Sequence, residues 1–242
     1  MSSIAISSSR SNSRRQRWFY VGGALFAAAL IFAGFAPTFY LKTLFGTPEM
    51  SALKQVHGLV FSSWIALFVI QTWLVANDRR DIHRVLGVGG ALLVVAMSVV
   101  GYLLAVDSGR RGFTPDVHVT PLSFMAIPLF DLGVFVALVA WALLLRRRSD
   151  WHKRLMLLAT LSLLPPALAR IAMQFPPAPI MPIAFGGSAL IVIAAVVIDC
   201  IAQRRLHPAM LWGSLFFLVS LPGRVLIAGT QVWQDFARWM IG

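Results

Sequence analysis

Five histidines, His57, His83, His118, His152 and His207, are the side chains of this 242-residue sequence best suited to hold a cofactor. Four of them stand in the same kind of place, the first turn of a long apolar stretch. Three of the local texts rhyme: DIHRVLG, DWHKRLM and RLHPAML. A charged imidazole in a first turn opposes the helix dipole. A neutral one does not, and neutral imidazole is the form that ligates iron or zinc. Following the chain from one apolar stretch to the next puts His83, His152 and His207 at one end of the helices and His57 at the other. His118 falls in the loop TPDVHVTP. His83 and His152 are therefore expected to converge on one site, with Asp81, Asp150 and Asp199 as acceptors that fix their tautomers. A plainer reading stands beside this one. An imidazole at a membrane interface bonds water or headgroups, His207–Pro208 starts a helix with proline at its first position, and Asp81 and Asp150 are N-caps.

Helical spacing gives each histidine a stripe. His57, Phe61, Trp64, Phe68 and Gln71 fall within about 40° of one line at about 3.6 residues per turn. His83 shares its line with Gly87, Gly90, Val94, Met97 and Gly101, a face with little side-chain bulk that admits either a helix backbone or a flat cofactor. His152 aligns with Met156, Ala159, Leu163, Pro166 and Arg170.

Three charges lie inside apolar text: Asp131 in IPLFDLGVF, Arg170 in ALARIAM and Arg224 in LPGRVLIAG. Such a residue costs about 2.5–3.5 kcal/mol at a membrane helix centre, so it should be paired. Asp131 is expected to pair with one arginine or both. The pair either holds helices in register, with any free arginine reaching to the interface, or serves as an anion, propionate or proton-relay site. Cys200 is the single cysteine and reads as a small core thiol, which excludes an intrachain disulfide and a cysteine-based metal site. No Walker loop, GxSxG, HExxH or paired catalytic carboxylates appear, so no catalytic residue is named and no metal site is assigned.

The elements that must position these groups are membrane helices. Of the residues, 58% are hydrophobic and 12% charged, and mean hydropathy is +0.78. A soluble domain averages about 45–50% apolar and about 25% charged, and a chain this short cannot bury the excess. Seven stretches reach the roughly 20 residues needed to cross a bilayer: 18–40, 53–76, 83–106, 121–145, 152–173, 180–203 and 208–229. Pro165–Pro166 should kink the fifth and Pro222 the seventh. Residues 1–16, rich in serine and arginine, read as a disordered basic tail before an uncleaved signal anchor, so that 17–242 forms one domain.

With the N-terminus inside, the inner side collects fourteen basic residues: Arg10, Arg14, Arg15, Arg17, Arg79, Arg80, Arg84, Arg146, Arg147, Arg148, Lys153, Arg154, Arg204 and Arg205. The outer side holds Lys42, Lys54, Arg110, Arg111 and Arg238. Lys and Arg excess marks the cytoplasmic face, so the expected topology is N-in, C-out. The net charge of +12 is then a topology signal and not a nucleic-acid surface. Trp18, Tyr40, Trp151, Trp212, Trp233 and Trp239 fall where interfacial rings are favoured.

The run VHGLVFSSWIALFVIQTWLVANDRRDIHRVLG, followed by WHKRLMLLATLSLLPPALARI, resembles a widespread family of uncharacterised bacterial multi-pass membrane proteins. The likeness covers nearly all of the chain from residue 18 and carries no function with it. More distantly, His57 and His83 opening consecutive spans resemble the di-heme transmembrane cytochrome b reductases, in which imidazoles at opposite membrane sides ligate two b hemes. The fourth span has no histidine at its start apart from loop His118, so the likeness implies one heme b, on the cytoplasmic side. A third likeness is to the seven-helix receptor and hydrolase group that includes the adiponectin receptors, which are N-in, C-out and hold zinc with three histidines. Its histidine pair on the last helix is missing here.

The sequence therefore leads first to a bacterial inner-membrane heme-b or quinone-linked electron-transfer protein. His83, His152, His207 and His57 are its cofactor-binding candidates, and its partners are the lipid bilayer and a quinone or redox protein. The alternatives are a zinc-dependent membrane hydrolase using His83, His152 and His207 with Asp199 nearby, and a cofactor-free transporter or assembly factor built on Asp131, Arg170 and Arg224. No inverted repeat favours the transporter.

Overall fold

The computed structural model describes residues 2–114 and 119–242, with side chains from Gln16 onward. His118 lies outside the described residues. The chain is all-helical, with no strand among the described residues: α1 Ser2–Phe35, α2 Ala52–Ala76, α3 Arg80–Arg110, α4 Pro121–Leu144, α5 Ser149–Leu161, α6 Pro165–Met173, α7 Gly187–Gln203, α8 Pro208–Ala228 and α9 Gln231–Ile241. Among the described residues, seven units are long and apolar enough to cross a membrane. Six match the expected spans within three residues at each end, and α3 runs four residues past its expected end. Their outer faces carry large apolar side chains such as Val85, Leu92, Leu190 and Ile201 in the open. Water does not tolerate so much exposed apolar surface, and lipid does. The molecule is a multi-pass membrane protein.

Proline sets the irregularities. The fifth span breaks into α5 and α6 at Ser162–Leu164, just before Pro165–Pro166 withhold two backbone donors. Pro37 and Pro182 sit in π-helical turns, Ala36–Tyr40 and Pro182–Gly186. Pro222 and Pro128, by contrast, lie within continuous helices. The broken span is the central one: 67% of its apolar window is buried, against 22–33% for the other six. Leu155, Leu158 and Leu161 of α5 meet Phe135 and Leu138 of α4 and Met210 and Phe217 of α8. Close approach at two points requires glycine. A Cβ on Gly34 would run into the Ala167 carbonyl of α6, and one on Gly58 into the Phe39 ring.

One element was not expected from the sequence. Helix α9 turns back after α8 and packs Trp233 and Ala237 inward, with the Trp233 indole donating to the Leu122 carbonyl at 2.8 Å. Asp81 and Asp150 also depart from expectation. They lie inside the first turns of α3 and α5 and cap neither, since Arg79 and Arg148 occupy the cap positions without a side-chain bond.

A candidate cofactor site at the basic end of the bundle

Helices α3 and α5 both begin at the arginine-rich end, where Arg17 from the start of the first span also bonds Asp78 in the α2–α3 turn at 2.5 Å. That arrangement brings His83 and His152 together. Their ring centres are 6.4 Å apart and the ring planes cross at 82°. His152 Nδ1 lies 2.9 Å from the Ala142 carbonyl in the last turn of α4. That carbonyl is one of the four left open at a helix end, because the Arg146 N–H turns to Leu143 instead, at 3.2 Å. Since a carbonyl only accepts, Nδ1 carries the proton and Nε2 keeps its lone pair. The Gln71 amide donates to the His83 carbonyl at 3.2 Å, and His83 Nδ1 is buried without a partner.

The expected aspartate acceptors are elsewhere. Asp81 faces Arg79 at 3.6 Å. Asp199 takes both its oxygens to Arg154, at 2.8 and 3.0 Å, and the third arm of Arg154 donates to the Asp150 carbonyl at 2.8 Å. The Asp150 carboxylate accepts from His207 Nε2 at 2.9 Å. His207 Nδ1 in turn accepts the Ala209 N–H at 3.1 Å as the N-cap of α8. Both nitrogens of His207 are thus engaged, and it stands apart from the His83–His152 pair. His57 is at the opposite end, its ring stacked on Phe61 at 4.0 Å. Among the described residues no group of three or more His, Cys, Asp or Glu is placed to hold a metal ion.

The small-residue face of α3 is mostly filled. A Cβ on Gly90 would meet Leu67 at 3.1 Å, and one on Gly101 would meet Leu132 at 3.1 Å and Phe61 at 3.4 Å. Room remains on this face at Gly87, one turn from His83, where a Cβ would meet only the Gln71 amide, at 3.8 Å.

Of the three intramembrane charges, two meet. Arg224 bonds Asp131 through Nη1, while its Nε and Nη2 donate to the Ser220 carbonyl and hydroxyl at 3.1 and 2.9 Å. The second Asp131 oxygen is buried without a partner. Arg170 does not join them. The break between α5 and α6 turns it onto the Phe35 ring at 4.2 Å, with one bond to the Pro166 carbonyl at 3.2 Å.

The Arg154–Asp199 pair was missed from sequence. Its members are 2% exposed each. In the sequence Arg154 reads as one of the flanking basic residues, although Asp199 in the apolar text VVIDCIA carries the same signal as Asp131. No protein-family model, no curated protein and no solved structure matches this chain.

Proposed function

We propose that this is an electron-transfer protein of a bacterial inner membrane, holding one b-type heme between His83 and His152 at the cytoplasmic end. The observation that carries the reading is the convergence of two imidazoles without a third donor. Zinc needs three or four protein ligands. A heme iron takes four nitrogens from its macrocycle and needs only two more. Their ring centres, 6.4 Å apart, are close enough for both imidazoles to reach one ion at about 2.0–2.1 Å per nitrogen. The His152–Ala142 bond leaves Nε2 as the ligating atom, the outer-shell arrangement usual for metal-bound histidine. The room beside Gly87 suits a flat macrocycle edge. Arg80 and Arg84, exposed on the same turns of α3, suit its propionates. When bound, the group supplies one-electron redox chemistry, with a quinone or a redox protein as its partner. The excess of Lys and Arg at this end supports its cytoplasmic orientation.

The zinc-hydrolase alternative lacks its third ligand, because capping and Asp150 engage both nitrogens of His207. The test is the absorption spectrum of the protein purified in detergent after expression with a heme precursor. A Soret band is expected. It should disappear in His83→Ala and in His152→Ala while elution volume is unchanged, and persist in His57→Ala and His207→Ala. A colourless parent chain overturns the reading.

A further inference from the structure

At the basic end, helices α4 and α8 leave a groove between them that no side chain fills. It is about 540 Å³, open on one side, and lined by Ala137, Trp141, Trp212 and Phe216. The lining is two pairs of residues four apart, one on each helix, so each pair lies on one helix face. Trp141 is one turn from the end of α4 and Trp212 one turn from the start of α8. The groove therefore opens within the first two turns of the bilayer at this end. Trp212 and Phe216 are 54% and 43% exposed along it, and its lining is almost wholly apolar.

What surrounds the mouth has the opposite character. Directly beyond α4 come Arg146, Arg147 and Arg148, and just before α8 come Arg204 and Arg205. All five are exposed, and none has an acidic partner among the described ion pairs. Arg154, the arginine that is buried at this end, is by contrast saturated by Asp199 and the Asp150 carbonyl. Positive-inside bias alone accounts for arginines in these loops. Interfacial preference accounts for tryptophan at this level, but neither rule requires the two helices to leave a slot between Trp141 and Trp212.

We propose that this groove is a binding site for an anionic phospholipid. One acyl chain lies along Ala137, Trp141, Trp212 and Phe216, and the phosphate meets Arg146–Arg148 and Arg204–Arg205. An occupant of the slot has to enter from the bilayer, so its body is apolar and chain-like. Guanidinium groups without an acidic partner select a negative headgroup, since arginine binds phosphate in a planar, bidentate manner. The one side-chain bond these five make among the described residues is from Arg146 to the Leu143 carbonyl, at 3.3 Å. Basic pockets between transmembrane helices are the usual form of such sites. The inference is independent of the histidine pair and survives if no heme binds.

The test uses the intact protein in nanodiscs of phosphatidylcholine, titrated with brominated phosphatidylglycerol, whose bromines quench tryptophan fluorescence on contact. Saturable quenching well above that of brominated phosphatidylcholine at equal mole fraction is expected, and quenching no greater than it overturns the site. Replacing Arg146, Arg147 and Arg148 together by glutamine should weaken binding by about fivefold per arginine, on the order of 100-fold in all. Ala137→Trp projects an indole into the slot and leaves every arginine in place, so it separates a built site from diffuse surface charge. Saturable binding should be lost in Ala137→Trp as well. If only the arginine variant loses it, the lipid is held by surface charge alone and the groove assignment is wrong.

Discussion

The two buried arginine–aspartate pairs differ in how completely they are satisfied. In Arg154–Asp199 both carboxylate oxygens and all three nitrogens of the guanidinium are used, and the pair ties the start of α5 to the end of α7. In Arg224–Asp131 the arginine relies on Ser220 for two of its bonds, and one carboxylate oxygen has no partner. The first pair lies at the bundle end, beside the histidines. The second lies deeper, between α4 and α8. Completeness at the basic end is what a rigid site needs: the network fixes α5 and α8, and the His152 ring sits on the first turn of α5. The deeper pair is held chiefly by the arginine's own helix.

The comparison breaks most easily at Asp199. Removing one member of a buried pair leaves an uncompensated charge and costs about 3–5 kcal/mol, so Asp199→Asn should show that loss in detergent-induced unfolding. Arg154→Gln on the same background should recover part of it. Asp131→Asn should cost less, about 1.5–3 kcal/mol, the scale of one charged hydrogen bond, because Ser220 still engages Arg224. A larger loss at Asp131 than at Asp199 would reverse the ranking drawn from the bonding. His207→Ala removes a helix cap and should cost about 1 kcal/mol, measured as a lower thermal midpoint. Arg170→Gln gives up a cation–π contact to Phe35 and should cost about 0.5–1 kcal/mol. A loss comparable to that of Asp131→Asn would mean that Arg170 serves the buried pair after all.

The spans were legible because each is an apolar run of bilayer length bounded by charge, a pattern set by the solvent and not by tertiary detail. Helix α9 was not, since Val232, Trp233, Phe236 and Trp239 alternate with glutamine, aspartate and arginine over too few residues to cross a membrane. The meeting of His83 with His152 followed from counting spans. The acceptor for His152 did not, because it is a backbone carbonyl freed by the way α4 ends. Arg154 was taken for a flanking charge because sequence alone does not separate an arginine reaching to the interface from one turned inward. His207 was grouped with the other histidines by local text, yet its neighbour Pro208 already marked it as a cap.

The most direct measurement on the His83–His152 site is the low-temperature electron paramagnetic resonance spectrum of the oxidised, purified protein. A low-spin ferric signal from two axial imidazoles is expected in the parent and in His207→Ala. His83→Ala and His152→Ala should each lose it or convert it to a high-spin signal. A bis-imidazole signal that survives either of those two substitutions, or that vanishes with His207→Ala, would contradict the assignment of His83 and His152 as the ligand pair.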